Sequence, residues 1–449
     1  MTSPAPTPLK FVADGALDRA GLSQQQQAWA QAHGFAGQSG RLLALPDADG
    51  AVAAWLFGVG PEAGRSPFIA GRAAAGLPEG FYKMEGDVDD PTLATIAFRL
   101  GAYRFDRYRD ARPVPLVALT DGADEDEVDR QVEAASLARD LINTPANDLG
   151  PEAMEKAAQD FARRNGMDIR VIAGDDLLNA NFPMIHAVGR ASAQAPRLID
   201  LTWGDESHPK VTLVGKGVTF DTGGLDIKSA AGMLLMKKDM GGAANVLGLA
   251  HAIVSSGLKV RLRVLLPVVE NAIAGNAFRP GDVLRSRLGL TVEIGNTDAE
   301  GRLILADALA LADEEAPDLL VDMATLTGAA RVALGPDLPP VYCTDAAISG
   351  QLADLGLAVE DPLWPMPLWA NYDSQLASKV ADINNTGSGG FAGSVTAALF
   401  LKRFVRRAGI WLHLDIFGWA PEARPGRPVG ATDQGIRALH ALIRDRYKG

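Results

Sequence analysis

From about residue 149 to the C-terminus the sequence alternates between two kinds of segment, and this alternation restricts the fold more than any other feature. Strand-like apolar runs at 168–172, 210–214, 262–269, 319–324 and 410–416 are separated by helical stretches that include 241–255, 303–315 and 394–407. Such alternation predicts an α/β fold with a mainly parallel sheet flanked by helices on both faces. Sites in folds of this type lie beyond the carboxyl ends of the strands. Upstream, residues 1–122 mix short apolar runs (41–45, 51–59, 114–119) with polar helical stretches such as 23–33, which reads as a small N-terminal α/β domain. The acidic cluster at 121–127 suits the first turn of a helix, where the dipole favours negative charge. That helix is predicted over about 124–143 and stops at Asn143-Thr144-Pro145. The expected domains are therefore 1–122, a connecting helix within 123–148, and a larger domain over 149–449.

Composition narrows the function classes. The net charge of −12 disfavours nucleic-acid phosphate as a partner. The longest apolar stretches, such as 51–59 and 319–326, fall well short of the ~18 residues of a membrane helix. The first ten residues are polar and proline-rich with no apolar core, so no secretory signal is expected. Cys343 is the single cysteine, which rules out a thiolate cage and an intramolecular disulfide and fits a reducing, cytoplasmic setting. None of the six histidines pair at metal-ligand spacing. A metal site here would be built from carboxylates, which suit Mg, Mn or Zn.

Two segments carry the chemistry. Asn296-Thr297-Asp298-Ala299-Glu300-Gly301-Arg302-Leu303 places two carboxylates two positions apart, then a glycine and an arginine, just before an apolar-periodic helix. On an extended segment both carboxylates would face the same side. Adjacent carboxylates repel unless a cation or a shared proton compensates. Arg302 would add an anion-binding fork at the rim. Residues 211–242 hold Lys216, Asp221, Lys228 and Asp239 in a stretch poor in other solvating charge, where isolated charges are costly unless paired or metal-bound. The glycines after Asp221 permit unusual backbone angles close to a site. Taken alone, this stretch reads equally well as a glycine-rich strand-to-helix turn with surface lysines.

Together, Gly215-Lys216-Gly217-Val218-Thr219-Phe220-Asp221-Thr222-Gly223-Gly224 and the octapeptide resemble the leucyl aminopeptidase (cytosol aminopeptidase) family of two-metal exopeptidases. Further similarity runs through Arg279-Pro280-Gly281-Asp282-Val283-Leu284, Ala324-Thr325-Leu326-Thr327-Gly328-Ala329 and Trp411-Leu412-His413-Leu414-Asp415-Ile416. It is strong from about residue 135 onward and weak over the first hundred residues. The resemblance implies that Asp221 and Glu300 bridge two divalent ions (Mn or Zn, with Mg or Co as variants). Asp298 would complete one ion's ligand set, and Lys216, as a neutral amine, with Asp239 the other's. It implies Lys228 and Arg302 as the catalytic pair, Lys228 stabilising an oxyanion and Arg302 holding a bicarbonate that relays protons. Two such metals would drop the pKa of a shared water toward ~7 and hold a free α-amine, which confines cleavage to the N-terminus of a peptide.

The resemblance also implies that Met236, Thr325 and Gly328 line the pocket for the substrate's first side chain. Phe417 stands where relatives usually carry a small residue, so it is expected to reshape that pocket and broaden specificity. Methyl-scale changes in a pocket are worth only ~1–3 kcal/mol. A homo-hexamer is implied, with the N-terminal domain supporting assembly. Two other readings of clustered carboxylates remain: a two-metal phosphohydrolase, and a non-catalytic DNA-binding or regulatory assembly. His413 and Asp415 on one strand read as structural, and Met233, Met236 and Met240 at helical spacing as core. The glycine-rich stretch 388–394 reads as a loop beside the site, with Ser394 as the N-cap of the next helix.

Overall fold

The computed structural model describes residues 5–448, which form two compact units. The first comprises the residues up to Ser136 together with Ala420–Gly430. Its strands are β1 (Thr7–Ala13), β2 (Leu42–Pro46), β3 (Val52–Gly60), β4 (Gly80–Gly86) and β5 (Pro115–Val117), ordered β2-β3-β1-β4-β5. All neighbours are parallel except β2 with β3. Leu9, Phe11, Phe57, Phe68, Phe98 and Leu100 form its core. The helix Pro91–Ala102 starts at proline with Asp90 accepting from the Leu93 amide, which satisfies a donor the helix leaves free.

The second unit comprises Leu137–Trp419 and Ala431–Gly449. Its strands are β6 (Asp168–Ala173), β7 (Arg197–Trp203), β8 (Lys210–Gly215), β9 (Gly217–Asp221), β10 (Arg261–Asn271), β11 (Val283–Arg285), β12 (Thr291–Glu293), β13 (Leu319–Ala324), β14 (Pro340–Cys343), β15 (Trp364–Met366), β16 (Ile383–Asn384) and β17 (Ile410–Asp415). The main sheet runs β15-β14-β17-β13-β8-β10-β7-β6, with β9 also on β10. Its centre, β17-β13-β8-β10, is parallel, whereas β10-β7, β7-β6 and β14-β17 are antiparallel. The sheet is thus mixed, with its parallel part at the middle. β13 and β17 are buried along their whole length and β8 all but its first residue, as expected where both faces are covered. Helices Gly241–Ser255 and Gly301–Glu314 each pack on β8, β10 and β13. The first also packs against Ile436–Tyr447, the second against Pro183–Gly189 and Gly393–Lys402.

The helix Glu125–Asn143 begins in the first unit and ends in the second. Ser394 is not an N-cap. That position falls to Ala392 in the left-handed region (φ 58°), while Ser394 is buried and its hydroxyl lies between the Tyr342 hydroxyl and Asp415. His413 is fully buried in β17, its Nδ1 2.6 Å from Asp322 Oδ1 on the paired strand, and Asp322 also accepts from Trp411 Nε1 at 2.7 Å.

Candidate metal centre and active site

β8 and β9 are one passage of chain interrupted at Lys216. The Lys216 amide donates to Met323 O on β13 at 3.0 Å, and its carbonyl accepts from Ala243 N, in the first turn of Gly241–Ser255, at 2.9 Å. The break turns the side chain off the ladder to the carboxyl end of the sheet. There Lys216 Nζ lies 2.7 Å from Asp239 Oδ2 and 3.0 Å from Glu300 Oε1, and donates to Thr325 O at 3.0 Å. A Cβ at Gly301 would stand 2.7 Å from that nitrogen, so only glycine lets the lysine stem cross the start of the helix.

After the break β9 pairs with β10 in a register that sets Asp221 against Asn271. Asp221 Oδ1 accepts from Asn271 Nδ2 and Gly223 N, both at 2.8 Å. Its Oδ2 is 2.8 Å from Lys228 Nζ, which also contacts Asp298. Gly223 and Gly224 both have positive φ (88° and 65°), which turns the chain back at the site. Asp239 lies in the 3-10 turn Met236–Met240, with Thr325 Oγ1 donating to its Oδ1 at 2.8 Å.

The octapeptide is not extended. Residues 296–299 form a turn, and Glu300, with helical angles, is the N-cap of Gly301–Glu314. Asn385 braces the turn, accepting from Gly295 N at 2.7 Å and donating to Asn296 O at 2.8 Å. Thr297 ties it to the Asp221 loop by donating to Gly223 O at 2.6 Å and accepting from Asp226 N at 2.9 Å. The carboxylates still converge: ligand atoms of Asp221, Asp298 and Glu300 lie within 4.8 Å of one another.

Electrostatically the cluster is under strain. Burial and the neighbouring Asp221 push the Glu300 and Asp298 carboxyls up from their usual range. Burial alone would lower the Lys216 ammonium, but Asp239, Glu300 and Asp221 outweigh it and hold it above its ordinary value; Lys228 is raised similarly by Asp221 and Asp298. Both Glu300 oxygens, Asp239 Oδ2 and Asp298 Oδ1 are buried without a hydrogen bond of good geometry. Close-set hard oxygen donors, two short of satisfied partners on one residue, fit divalent cations. Arg302 is buried; its Nη1 donates to Asn385 O at 2.7 Å, and its Nε has no partner. Burial lowers its guanidinium to about 10.

Lys216, Asp221, Lys228, Asp239, Asp298 and Arg302 line a cavity of about 650 Å³ together with Met236, Lys238, Thr325, Gly328, Arg331 and Phe417. Met240, by contrast, is wholly buried.

A model of the cytosol aminopeptidase catalytic domain matches residues 136–440, and one of the family's N-terminal domain matches 8–119. The chain belongs to the cytosol aminopeptidase family. It is a metallo-aminopeptidase. A probable cytosol aminopeptidase of Caulobacter vibrioides is 38% identical over 92% of this chain and 90% of its own. One from Leifsonia xyli is 39% identical, over 92% and 88%. A crystal structure of cytosol aminopeptidase from Coxiella burnetii superposes with a TM-score of 0.94 at 43% identity, covering 100% of this chain and 98% of that one. The bottromycin maturation enzyme BotP in complex with Mn gives 0.89 at 33%, covering 99% and 100%.

In this aminopeptidase Asn271, Thr297 and Asn385 were not singled out from sequence. Each is a neutral polar residue that acts by orienting another, and spacing gives such residues no signal. Lys238 and Arg331 were also missed, because a lysine beside a lysine and an arginine on a short helix read as solvated surface.

Proposed function

We propose that this aminopeptidase removes the first residue of peptides and dipeptides using two divalent cations, Mn or Zn. Asp221 and Glu300 would be shared between them, with Asp298 at one and Lys216 and Asp239 at the other. The observation that carries this reading is the buried, unsatisfied carboxylate set around Lys216. When bound, the cations would acidify a water, polarise the scissile carbonyl and hold the substrate's free α-amine.

The chain's own residues supply the rest. Lys216 must give up the Nζ proton to present a lone pair, and it sits where two carboxylates now compensate that charge. Lys228, released from Asp221 and Asp298, would donate from Nζ to the carbonyl oxygen as negative charge develops there. Arg302 would hold a small anion, bicarbonate, at the cavity wall it lines. Held there, it would supply a proton relay between the water and the departing amine. Asn271 keeps Asp221 oriented and Thr325 does the same for Asp239. Met236, Thr325, Gly328 and Phe417 would surround the first side chain. Assembly as a homo-hexamer in the cytoplasm belongs to the same proposal, supported by family membership and checked by light scattering.

The test is hydrolysis of aminoacyl-p-nitroanilides and X-Gly dipeptides by chelated and by Mn- or Zn-reloaded protein. Metal stoichiometry is measured alongside, and Asp298→Asn serves as the variant. Activity that tracks bound metal and disappears in Asp298→Asn is expected. Two bound ions without turnover on any substrate would overturn the reading.

A further inference from the structure

Phe417 shares the site's wall with two cations that the chemistry above does not use. Lys238 Nζ lies 4.8 Å from the centre of the Phe417 ring, and the Arg331 guanidinium carbon 4.9 Å. Lys238 is 5% exposed and lines the cavity, yet its ammonium makes no hydrogen bond or ion pair among the described residues. The adjacent lysine shows what a satisfied one looks like: Lys237 Nζ donates to Asn143 O at 2.7 Å.

The carboxylates near Lys238 are engaged elsewhere. Asp239 holds Lys216 and Thr325. Asp415 accepts from the amides of Leu326 and Thr327 and from the hydroxyls of Thr327 and Ser394. An aromatic face compensates a buried ammonium only in part. Arg331 adds a second positive charge instead of relieving the first. A buried cation without an anion is costly, and here the missing anion has open space in which to sit.

We infer that Lys238 and Arg331, presented around Phe417, make the pocket for the substrate's first side chain a carboxylate receptor, so that peptides beginning with Glu or Asp are the preferred substrates. This rests on the aminopeptidase reading of the same cavity and specifies its substrate class. Lys238 and Arg331 share the wall with Met236, Thr325, Gly328 and Phe417, the residues assigned to that pocket. Phe417 supports the two cations and closes the apolar volume that a leucine side chain would fill. Substrates beginning with Lys or Arg would bring a third positive charge to the pocket and are rejected.

The test compares Glu- and Gln-p-nitroanilide, which differ in charge and hardly in size and lack a peptide C-terminus, with Leu- and Lys-p-nitroanilide as references. Metal-loaded wild type is expected to favour Glu over Gln by tenfold or more in kcat/KM, mostly through KM, with Lys the poorest. Lys238→Met and Arg331→Gln are each expected to bring the Glu/Gln ratio toward one. Because Lys238→Met could fail to fold, Arg331→Gln, on the exposed side of the ring, keeps the test decisive. Calorimetric binding of free glutamate against free glutamine gives a readout independent of turnover and is expected to show the same order.

A Glu/Gln ratio near one in a protein that hydrolyses Leu-p-nitroanilide overturns the inference and leaves the aminopeptidase reading intact. Hydrolysis of none of these substrates despite bound metal overturns that reading itself. If instead Leu-Gly is favoured over Leu-Gly-amide and no preference for Glu is seen, the cations read the product-side carboxylate and the inference is wrong.

Discussion

Two buried groups of charge in the second unit are built on opposite plans. Around the start of the C-terminal helix, Arg139 and Arg437 meet Asp433 and Asp361, and none of the four side chains is more than 3% exposed. Arg139 and Arg437 reach opposite oxygens of Asp433 at 2.7 and 2.9 Å. Asp361 accepts from Gly435 N and Arg437 N at 3.0 Å, and Arg437 donates on to Val359 O and Glu360 O. Charge balances and the donors are used. At the carboxyl end of the sheet, four carboxylates face two ammonium groups, and several of their oxygens lack a directed partner. Burial is common to both, so burial alone does not mark a site. Incomplete compensation does.

Substitutions should separate the two plans. The largest effect is expected from Glu300→Gln, a loss of activity on the order of 10³-fold, equivalent to about 4 kcal/mol of barrier. In metal-free protein the same change should leave the unfolding midpoint equal or higher, because it removes a buried carboxylate crowded by Asp221 and Asp239 while Lys216 keeps Asp239 as its partner. A lower midpoint, measured by denaturant titration, would mean the cluster is structural after all. Asp433→Ala should do the reverse, destabilising by ~3–5 kcal/mol by removing the carboxylate that two buried guanidiniums share. If it folds at low temperature, its metal stoichiometry should be unchanged. Adding Mn or Zn at about a hundred times its dissociation constant should stabilise the wild type by ~2.7 kcal/mol, and Glu300→Gln by much less.

The smallest effect concerns pH. Asp322 outweighs burial and holds His413 above its ordinary 6.5. A histidine raised in the folded state contributes stability that is complete below the unfolded value and is lost as pH rises through the folded one. The stability gap between wild type and His413→Gln should therefore be widest below about pH 6.5 and narrow as the pH is raised above it. A constant gap would mean that His413 stays neutral throughout.

Regular periodicity made the central strands and their helices legible. Residues 319–324 and 241–255 coincide with β13 and the helix that packs on it. Of the antiparallel flanks only β6, expected at 168–172, was legible. β7 alternates less clearly, and β14 and β15 are only three or four residues long, so their pairing is set by what they lie against. At the site, Lys216, Asp221, Lys228 and Asp239 stand out as charges in a stretch otherwise poor in them, and Asp298 and Glu300 by their spacing. The extended geometry first assigned to 296–300 does not hold. Thr297 and Asn385 fold that segment into a turn by long-range hydrogen bonds that local sequence does not encode. Lys238 escaped for a related reason: its lack of a partner is a property of the packed cavity.

The break between β8 and β9 has a consequence for how Lys216 can be studied. Its backbone is clamped to Met323 and Ala243 by hydrogen bonds that do not involve the side chain. Lys216→Ala should therefore keep the chain path and leave a slot, lined by Asp239 and Glu300, that opens on the cavity. Such a slot invites chemical rescue. Ethylamine or propylamine in the assay should restore part of the lost turnover, with a dependence on alkyl length that measures the space the lysine stem had filled.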